Sequence, residues 1–381
     1  MNITITAAVI VRNEERCIKK CLESLEDIFD EIIIVDTGSS DNTLNIIEEQ
    51  SHKKTSIFRI KWIGDFSYAR NFAISKSNSK YIFFIDGDEY LCTTKTNLIS
   101  QIAKHDRSNI VHSSAFCPKI INHDKNVIRD IRRIFRNNGC FYYAGFVHEE
   151  LRLKNGNEIK DFQIDINIHH DGYLESVLKT KKKSDRNRYL NKKNIIAEPE
   201  NLRWQYFYYR DELSNIDPVK AYKKISKLIK INPDNKLSWE NIKKESYTFS
   251  MLDLLARTLL INLNNKEELE SVIEAMRKII PCNSNSLYYE LIYELLTFKS
   301  LAKKRVIEIM KCNHQLQHNG MIHSKGLHID AALSFYLFES GFISQSERLL
   351  RSVIDSGFTS EMTNSYLRIF NIKNSGVSND G

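Results

Sequence analysis

Two short runs constrain this chain more than any other feature: Glu31-Ile32-Ile33-Ile34-Val35-Asp36 and Tyr81-Ile82-Phe83-Phe84-Ile85-Asp86. Alternate positions of a strand face opposite sides of its sheet, so a run that is apolar at consecutive positions has to be covered on both faces. Each run is also too short for a helix core and ends in a carboxylate. Strand character recurs at 3–11, 57–62 and 110–121, while 17–29 and 43–50 carry apolar residues at helical spacing. Ser40, Asp41 or Asn42 would cap the second of these helices. Strand, helix, strand, helix predicts an α/β fold with a mostly parallel sheet.

Beyond about 173 the strand signal fades and helical patterns run to about 372. Within 204–233, Trp204, Phe207, Tyr208, Ala221, Ile225, Leu228 and Pro233 fall as in one tetratricopeptide-like repeat with a residue inserted between its helices. A weaker echo spans 331–354, around Gly341. The expected organisation is a catalytic α/β domain at 1–175, a linker helix at 176–200, an all-α tetratricopeptide-like domain at 201–373 and a polar tail at 374–381. A length of 381 residues accommodates two such domains.

Composition excludes several classes. The chain is 27% charged and 42% hydrophobic with a formal net charge of +7, as soluble globular proteins are. No apolar run approaches the 18 residues of a membrane span and the start lacks a secretion leader, so the expectation is a cytoplasmic protein. Basic residues are scattered apart from the run at 179–183, which reads as a solvated segment or as steering for an acidic peptide or membrane surface; no nucleic-acid partner is expected. Seven cysteines at irregular positions, without a Cys-x-x-Cys pair, indicate neither a disulfide framework nor a zinc ribbon. Cys17 and Cys21 share a helix face, as small buried hydrophobes commonly do.

The candidate chemistry sits where the two apolar runs end. Asp36 is followed by Thr37-Gly38-Ser39-Ser40-Asp41, and Asp86 by Gly87-Asp88-Glu89. Ligands of open α/β sheets bind at the carboxyl ends of strands, so the two segments should share one crevice. Neither a Gly-x-Gly-x-x-Gly fingerprint nor a P-loop is present, which argues against a nicotinamide cofactor and a P-loop nucleotide. Paired carboxylates suit Mg2+ or Mn2+, ions that bridge to nucleotide phosphates. The bland alternatives are a solvated turn for Asp86-Gly87-Asp88 and a helix cap for Asp36.

Four strings in order, Val-Ile-Val-Arg-Asn-Glu-Glu (9–15), Ile-Val-Asp-Thr-Gly-Ser-Ser-Asp-Asn-Thr (34–43), Asp-Phe-Ser-Tyr-Ala-Arg-Asn (65–71) and Phe-Ile-Asp-Gly-Asp-Glu (84–89), resemble the family 2 glycosyltransferases of GT-A fold. Further strings at 132–136, 145–150 and 168–173 resemble a narrower branch with helical-repeat tails. That branch includes peptide S- and O-glycosyltransferases of sublancin-type bacteriocin biosynthesis, as well as lipopolysaccharide-core enzymes. The resemblance implies inverting transfer of glucose or a related hexose from a UDP-sugar to a Cys or Ser/Thr side chain of a precursor peptide, or alternatively to a glycan. It implies that Asp36 meets the uracil and that Asn13 and Glu14, with Val11, Asp65 and Gly87, line the nucleotide pocket. Arg70 would approach the diphosphate or nearby carboxylates, Asp86 the ribose or sugar, Asp88 the metal, and His170 the metal or the leaving diphosphate.

An inverting displacement needs a general base beside the acceptor. Glu149 is the first choice, Glu150 the second, and His148 either orients them or is itself the base. On strand alternation His148 and Glu150 share a face and Glu149 opposes them. A thiol acceptor would need less help, since its pKa near about 8.5 leaves some thiolate at neutral pH. In the helical half, Cys312, His314, His318, His323 and His328 crowd together, but their spacings fit no zinc pattern. The helical repeats are expected to grip the acceptor peptide or to join two subunits in a homodimer.

Overall fold

The structure is a computed structural model in which residues 3–106, 109–170, 181–261, 265–312 and 322–375 are described. The chain divides into two compact units, Met1–Glu212 and Leu213–Gly381.

In the first unit, β1 (Ile5–Val11) lies between β2 (Glu31–Asp36) and β4 (Tyr81–Asp86), parallel to both, and β3 (Thr55–Arg59) extends the sheet beyond β2. The two apolar runs are thus interior strands. Ile32 and Ile34 pack on one face with Ile18, Leu22 and Leu25 of α1 (Ile18–Leu25), while Ile33 and Val35 pack on the other with Ala73 and Phe84. Both layers are buried, which explains the lack of polar alternation. In the register Val11 pairs with Asp36 and Ile10 with Asp86, so both aspartates emerge at one sheet edge on either side of β1. Two more helices flank this half, α2 (Thr43–Glu49) and α3 (Phe66–Lys76). Asn42 stands at the N-cap of α2 without a capping bond from its side chain; Asp41 before it accepts from the Thr43 amide at 3.0 Å.

Past β4 the sheet turns mixed. A short β5 (Glu89–Leu91) and α4 (Lys95–Asp106) lead to β6 (Ser114–Asn122), β7 (Val127–Ile128) and β8 (Ile134–Arg136); β8 fits antiparallel between β4 and β6. The strand expected at 110–121 starts only at Ser114, after a 3-10 turn over Asn109–Ser113. A separate hairpin forms from β9 (Phe141–Ala144) and β10 (Glu150–Leu153), and β11 (Lys160–His170) returns to pair with β6 and β5.

Two helices complete this unit, α5 (Lys181–Ala197) and α6 (Leu202–Glu212). The division between compact units therefore falls after Glu212, not near 175. The expected linker helix packs on α6 through Asn191, whose amide donates to Asp211 at 2.8 Å. The pair of helices read at 204–233 as one repeat is consequently shared between units. Its first helix is α6; its second, α7 (Pro218–Ile229), packs on α8 (Thr248–Ile261) in the second unit. Asp217 caps α7 by accepting from the Lys220 amide at 3.0 Å, with Pro218 at the first helical position.

The second unit continues with α9 (Lys266–Ile279), α10 (Ser284–Cys312), α11 (Leu327–Glu339), α12 (Ile343–Asp355) and α13 (Glu361–Ser375). Here the echo at 331–354 does form a helix pair: α11 and α12 meet across Gly341, and Ser346 donates to the Ser334 carbonyl at 2.7 Å. Asp253 fastens α10 to α8 by accepting from Tyr289 Oη at 2.6 Å and Asn285 at 3.0 Å. His314, His318 and the run at 179–183 lie outside what is described, either as residues or as side chains. Among the described residues no helix is long and apolar enough to cross a membrane, and no group of three or more His, Cys, Asp or Glu side chains is placed to hold a metal.

Candidate active site

At the carboxyl edge of the sheet, Asp36 is buried and turns back on its own loop. Its Oδ2 accepts from the Gly38 amide at 2.9 Å and its Oδ1 from the Ser39 amide at 3.1 Å. This is the short side-chain turn favoured by aspartate, and it leads the chain toward α2. Asn13, with a left-handed φ of +58°, pins the same loop: its amide donates to Ser39 Oγ at 3.0 Å and its Oδ1 accepts from the Ser40 amide at 2.8 Å. The Glu14 amide donates to Thr43 Oγ1 at 2.7 Å. Val11 and Glu14 close on Gly87, where an added Cβ would lie 3.3 Å from Val11 Cγ1 and 3.2 Å from Glu14 Cγ. Val11, Asn13, Glu14, Asp36 and Gly87 thus assemble in one loop cluster. Asp65 instead starts α3, accepting from the Tyr68 amide at 2.9 Å.

From this cluster a ladder of alternating charges runs through the sheet edge. Glu89, 3% exposed, accepts from Arg133 Nη2 at 2.7 Å; the same nitrogen donates to Asp86 Oδ2 at 2.9 Å. Asp86 Oδ1 faces Arg70 Nη2 at 3.3 Å, and Arg70 Nε donates to Glu149 Oε1 at 2.5 Å. Glu89 also accepts from the Asp86 amide at 2.9 Å, which fixes the turn into Gly87 and Asp88. Burial pushes the Glu89 carboxyl up to about 7 despite Arg133. For Asp86 burial also opposes the charge, yet Arg133 and Arg70 hold it well below the usual carboxylate range. Burial disfavours the Arg70 charge too, but Glu149 and Asp86 outweigh it and hold its pKa above the ordinary arginine value. Asp86 still exposes 40% of its side chain, so this ionised carboxylate opens to the crevice.

His170 Nε2 lies 3.2 Å from Asp88 Oδ2 and its Nδ1 lies 3.1 Å from Asn122 Oδ1. The hydrogen bond to Asp88 holds the imidazole pKa above its ordinary value. One carboxylate and one imidazole are too few for an all-protein cage. They fit a Mg2+ or Mn2+ shared with phosphate oxygens, the common arrangement for such ions in nucleotide sites.

The three adjacent titratable residues of the 145–150 segment separate, although His148 and Glu149 precede β10 and are not extended strand. Glu149 points to Arg70 and the ladder. His148 points the other way, its ring stacked on Phe207 at 3.9 Å between centroids, and Glu150 accepts from Arg152 Nε at 2.6 Å. Burial, assisted by Arg210, lowers the His148 pKa to about 4, so the imidazole is neutral and turned from the ladder. Neither His148 nor Glu150 joins Asp86; Glu149 does, through Arg70.

Two members of the ladder were not anticipated as site residues. Arg133 sits in the quoted Arg132-Arg133 pair, but both arginines look alike in sequence. The two lie just before β8 and part there: Arg132 pairs with Asp161 at 2.7 Å, and Arg133 enters the buried ladder. Glu89 is the third acid in four residues, and only its pairing with Arg133 reveals its role.

Residues 6–179 match the model described as Glycosyl transferase family 2. The SPbeta prophage-derived glycosyltransferase SunS of Bacillus subtilis (strain 168) is 34% identical over 283 residues, 73% of this chain; the chain spans 64% of that relative's length. A TPR repeat-containing protein of Synechococcus elongatus is 38% identical over 99 residues, 26% of this chain and 24% of the relative. Among solved structures, S. aureus TarS 1-349 in complex with UDP-GlcNAc aligns over 83% of this chain and 93% of its own at 15% identity, with a TM-score of 0.37. Residues 6–179, which carry the sheet and its carboxyl-edge carboxylates, are thus similar to glycosyl transferase family 2.

Proposed function

We propose that this chain is an inverting glycosyltransferase moving glucose or a related hexose from a UDP-sugar to a side chain of a small peptide. The observation that carries this reading is the ladder: within a family 2 domain, Arg70 joins a candidate base, Glu149, to an open ionised carboxylate, Asp86, at the sheet edge where nucleotides bind. The peptide acceptor rests on the similarity to SunS.

The Asn13, Glu14 and Asp36 cluster receives the uridine, and Asp86 orients the ribose or sugar. The acceptor's Oγ or Sγ attacks the anomeric carbon while its proton passes to Glu149; the bond from that carbon to the diphosphate oxygen breaks, and its electron pair leaves with UDP. Asp88 and His170 would hold Mg2+ or Mn2+, which when bound neutralises charge gathering on the diphosphate. Arg70 keeps Glu149 and Asp86 at a fixed separation, since its planar fork reaches both at once.

The test is mass spectrometry after incubation with Mn2+, a panel of UDP-sugars and a Cys-containing precursor peptide, with Asp88→Ala alongside. A hexose adduct on the peptide is expected, falling by roughly 100-fold in the variant, as loss of a metal-type electrostatic contribution implies. Incorporation into glycan with none into peptide would replace the acceptor class. Unchanged turnover in Asp88→Ala would remove the metal assignment.

A further inference from the structure

The Gly145–Glu150 segment is held from two sides: the Phe66 amide donates to the Phe146 carbonyl at 3.0 Å and Arg70 reaches Glu149, while other backbone groups of 146–149 are met by side chains that come after the family match ends at 179. Asn194 of α5 takes two backbone groups: its Oδ1 accepts from the Phe146 amide at 2.8 Å and its Nδ2 donates to the Val147 carbonyl at 2.9 Å. Arg203 of α6 takes the next two. Its Nε and Nη2 donate to the His148 carbonyl at 3.0 and 2.8 Å, and Nη2 also lies 3.5 Å from the Glu149 carbonyl. Phe207 stacks under the His148 ring, and Trp204 lies against Gly145 so closely that a Cβ there would sit 2.4 Å from its ring.

Two local features make this support matter. His148 has a left-handed φ of +54°, a conformation that costs a non-glycine residue free energy and persists only when its surroundings impose it. The kink lies one residue before Glu149 and sets the direction in which that carboxylate leaves the chain. A buried carbonyl without a donor is also costly, so the guanidinium fork on His148 favours the kinked conformation over its relaxed alternatives.

We propose that Arg203, assisted by Asn194, is a positioning residue for transfer: it holds the left-handed turn at His148 and so aims Glu149 at Arg70 and the acceptor. This inference rests on the reading of Glu149 as the base. Its consequence is that helices beyond the family domain set the geometry of the proton acceptor while leaving the nucleotide loops, which involve other residues, untouched.

A double-mutant cycle tests it, with Glu149→Gln, Arg203→Ala and the pair compared in the full chain. If Arg203 acts through Glu149, Arg203→Ala lowers kcat for peptide transfer by roughly 10- to 100-fold, the range expected when a supporting residue misplaces a catalytic group. UDP affinity by calorimetry should stay within about 2-fold, and adding Arg203→Ala to Glu149→Gln should cost less than about 3-fold more, because coupled residues are not additive. Raising the pH toward 9 with a thiol peptide should restore part of the Arg203→Ala rate, since an ionised thiol needs no base. Independent, multiplying effects of the two substitutions, or an equal loss of UDP affinity, would overturn the proposal. A Glu149→Gln enzyme with full activity would instead overturn the base assignment, so the two failures are distinguishable. If Arg203→Ala does not fold, Arg203→Lys runs the same cycle, and it should retain more activity than alanine wherever both are soluble.

Discussion

Replacing Gly145 with alanine should destabilise the first compact unit more than any other single methyl addition at its described glycines. Gly145 has φ +102°, where a side chain costs roughly 1–3 kcal/mol in backbone strain. The new Cβ would also stand 2.4, 2.8 and 3.1 Å from Cη2, Cζ2 and Cζ3 of Trp204. That ring is 1% exposed and its Nε1 donates to Glu198 Oε2 at 3.0 Å, so it cannot swing aside without losing a bond and its packing. Overpacking of this kind costs roughly 1–3 kcal/mol more, which brings the total to about 4 kcal/mol. For a domain of this size that lowers the melting temperature by roughly 8–16 °C, measurable by circular dichroism. Gly156→Ala is the control: φ there is +74°, nothing lies within 4 Å of the added carbon, and only a backbone cost of about 1–2 kcal/mol applies. Trp204→Leu added to Gly145→Ala should recover part of the packing term. Equal melting temperatures for the two alanine variants would refute the close approach of Trp204.

Arg70→Lys keeps the charge but loses the fork that reaches Glu149 and Asp86 together; kcat for transfer should fall by roughly 10- to 100-fold, and a change below about 2-fold would show that the bridge is dispensable. The pH response of stability is a separate matter. His148 titrates near about 6.5 when unfolded and at about 4 when folded, so between those values the native state binds fewer protons. Its contribution is therefore complete above pH 6.5 and is lost as pH falls toward 4, on the order of 2–3 kcal/mol in all. Urea midpoints at pH 7 and 5 should differ less in His148→Asn, which tolerates the left-handed backbone but does not titrate; an unchanged difference would assign the slope to other groups.

Legibility in sequence followed the range of the interactions involved. The strands β2 and β4 and their terminal aspartates were readable because burial on both faces leaves a consecutive apolar run, a purely local mark. The meeting of Asp88 with His170 came from motif resemblance, and the structure brings them to 3.2 Å although 82 residues separate them. The separation of Glu149 from His148 comes from the left-handed turn at His148 just before β10, a feature that strand alternation does not contain. What sequence did not disclose was tertiary choice. Which of Arg132 and Arg133 goes inward depends on distant partners, Asp161 for one and Asp86 with Glu89 for the other, and the place of α5 and α6 depends on contacts such as Trp204 with Gly145, 59 residues apart. Trp204 stands at a spacing to Ala221 and Pro233 that fits a repeat pattern. Its actual partner is a glycine with no side chain to leave a periodic signal.

The close fit of Trp204 on Gly145 also bears on how such proteins can exchange parts. A recombination joint at the end of the family match, near 179, would pair one protein's Gly145–Glu150 segment with another's ring, fork and amide, and each mismatch would fall on the kinked turn. A joint after Glu212 carries lock and key together. Tails in this lineage should therefore be interchangeable at the second position and poorly so at the first, and co-inheritance of residues 145 and 204 is the trace that such a history would leave.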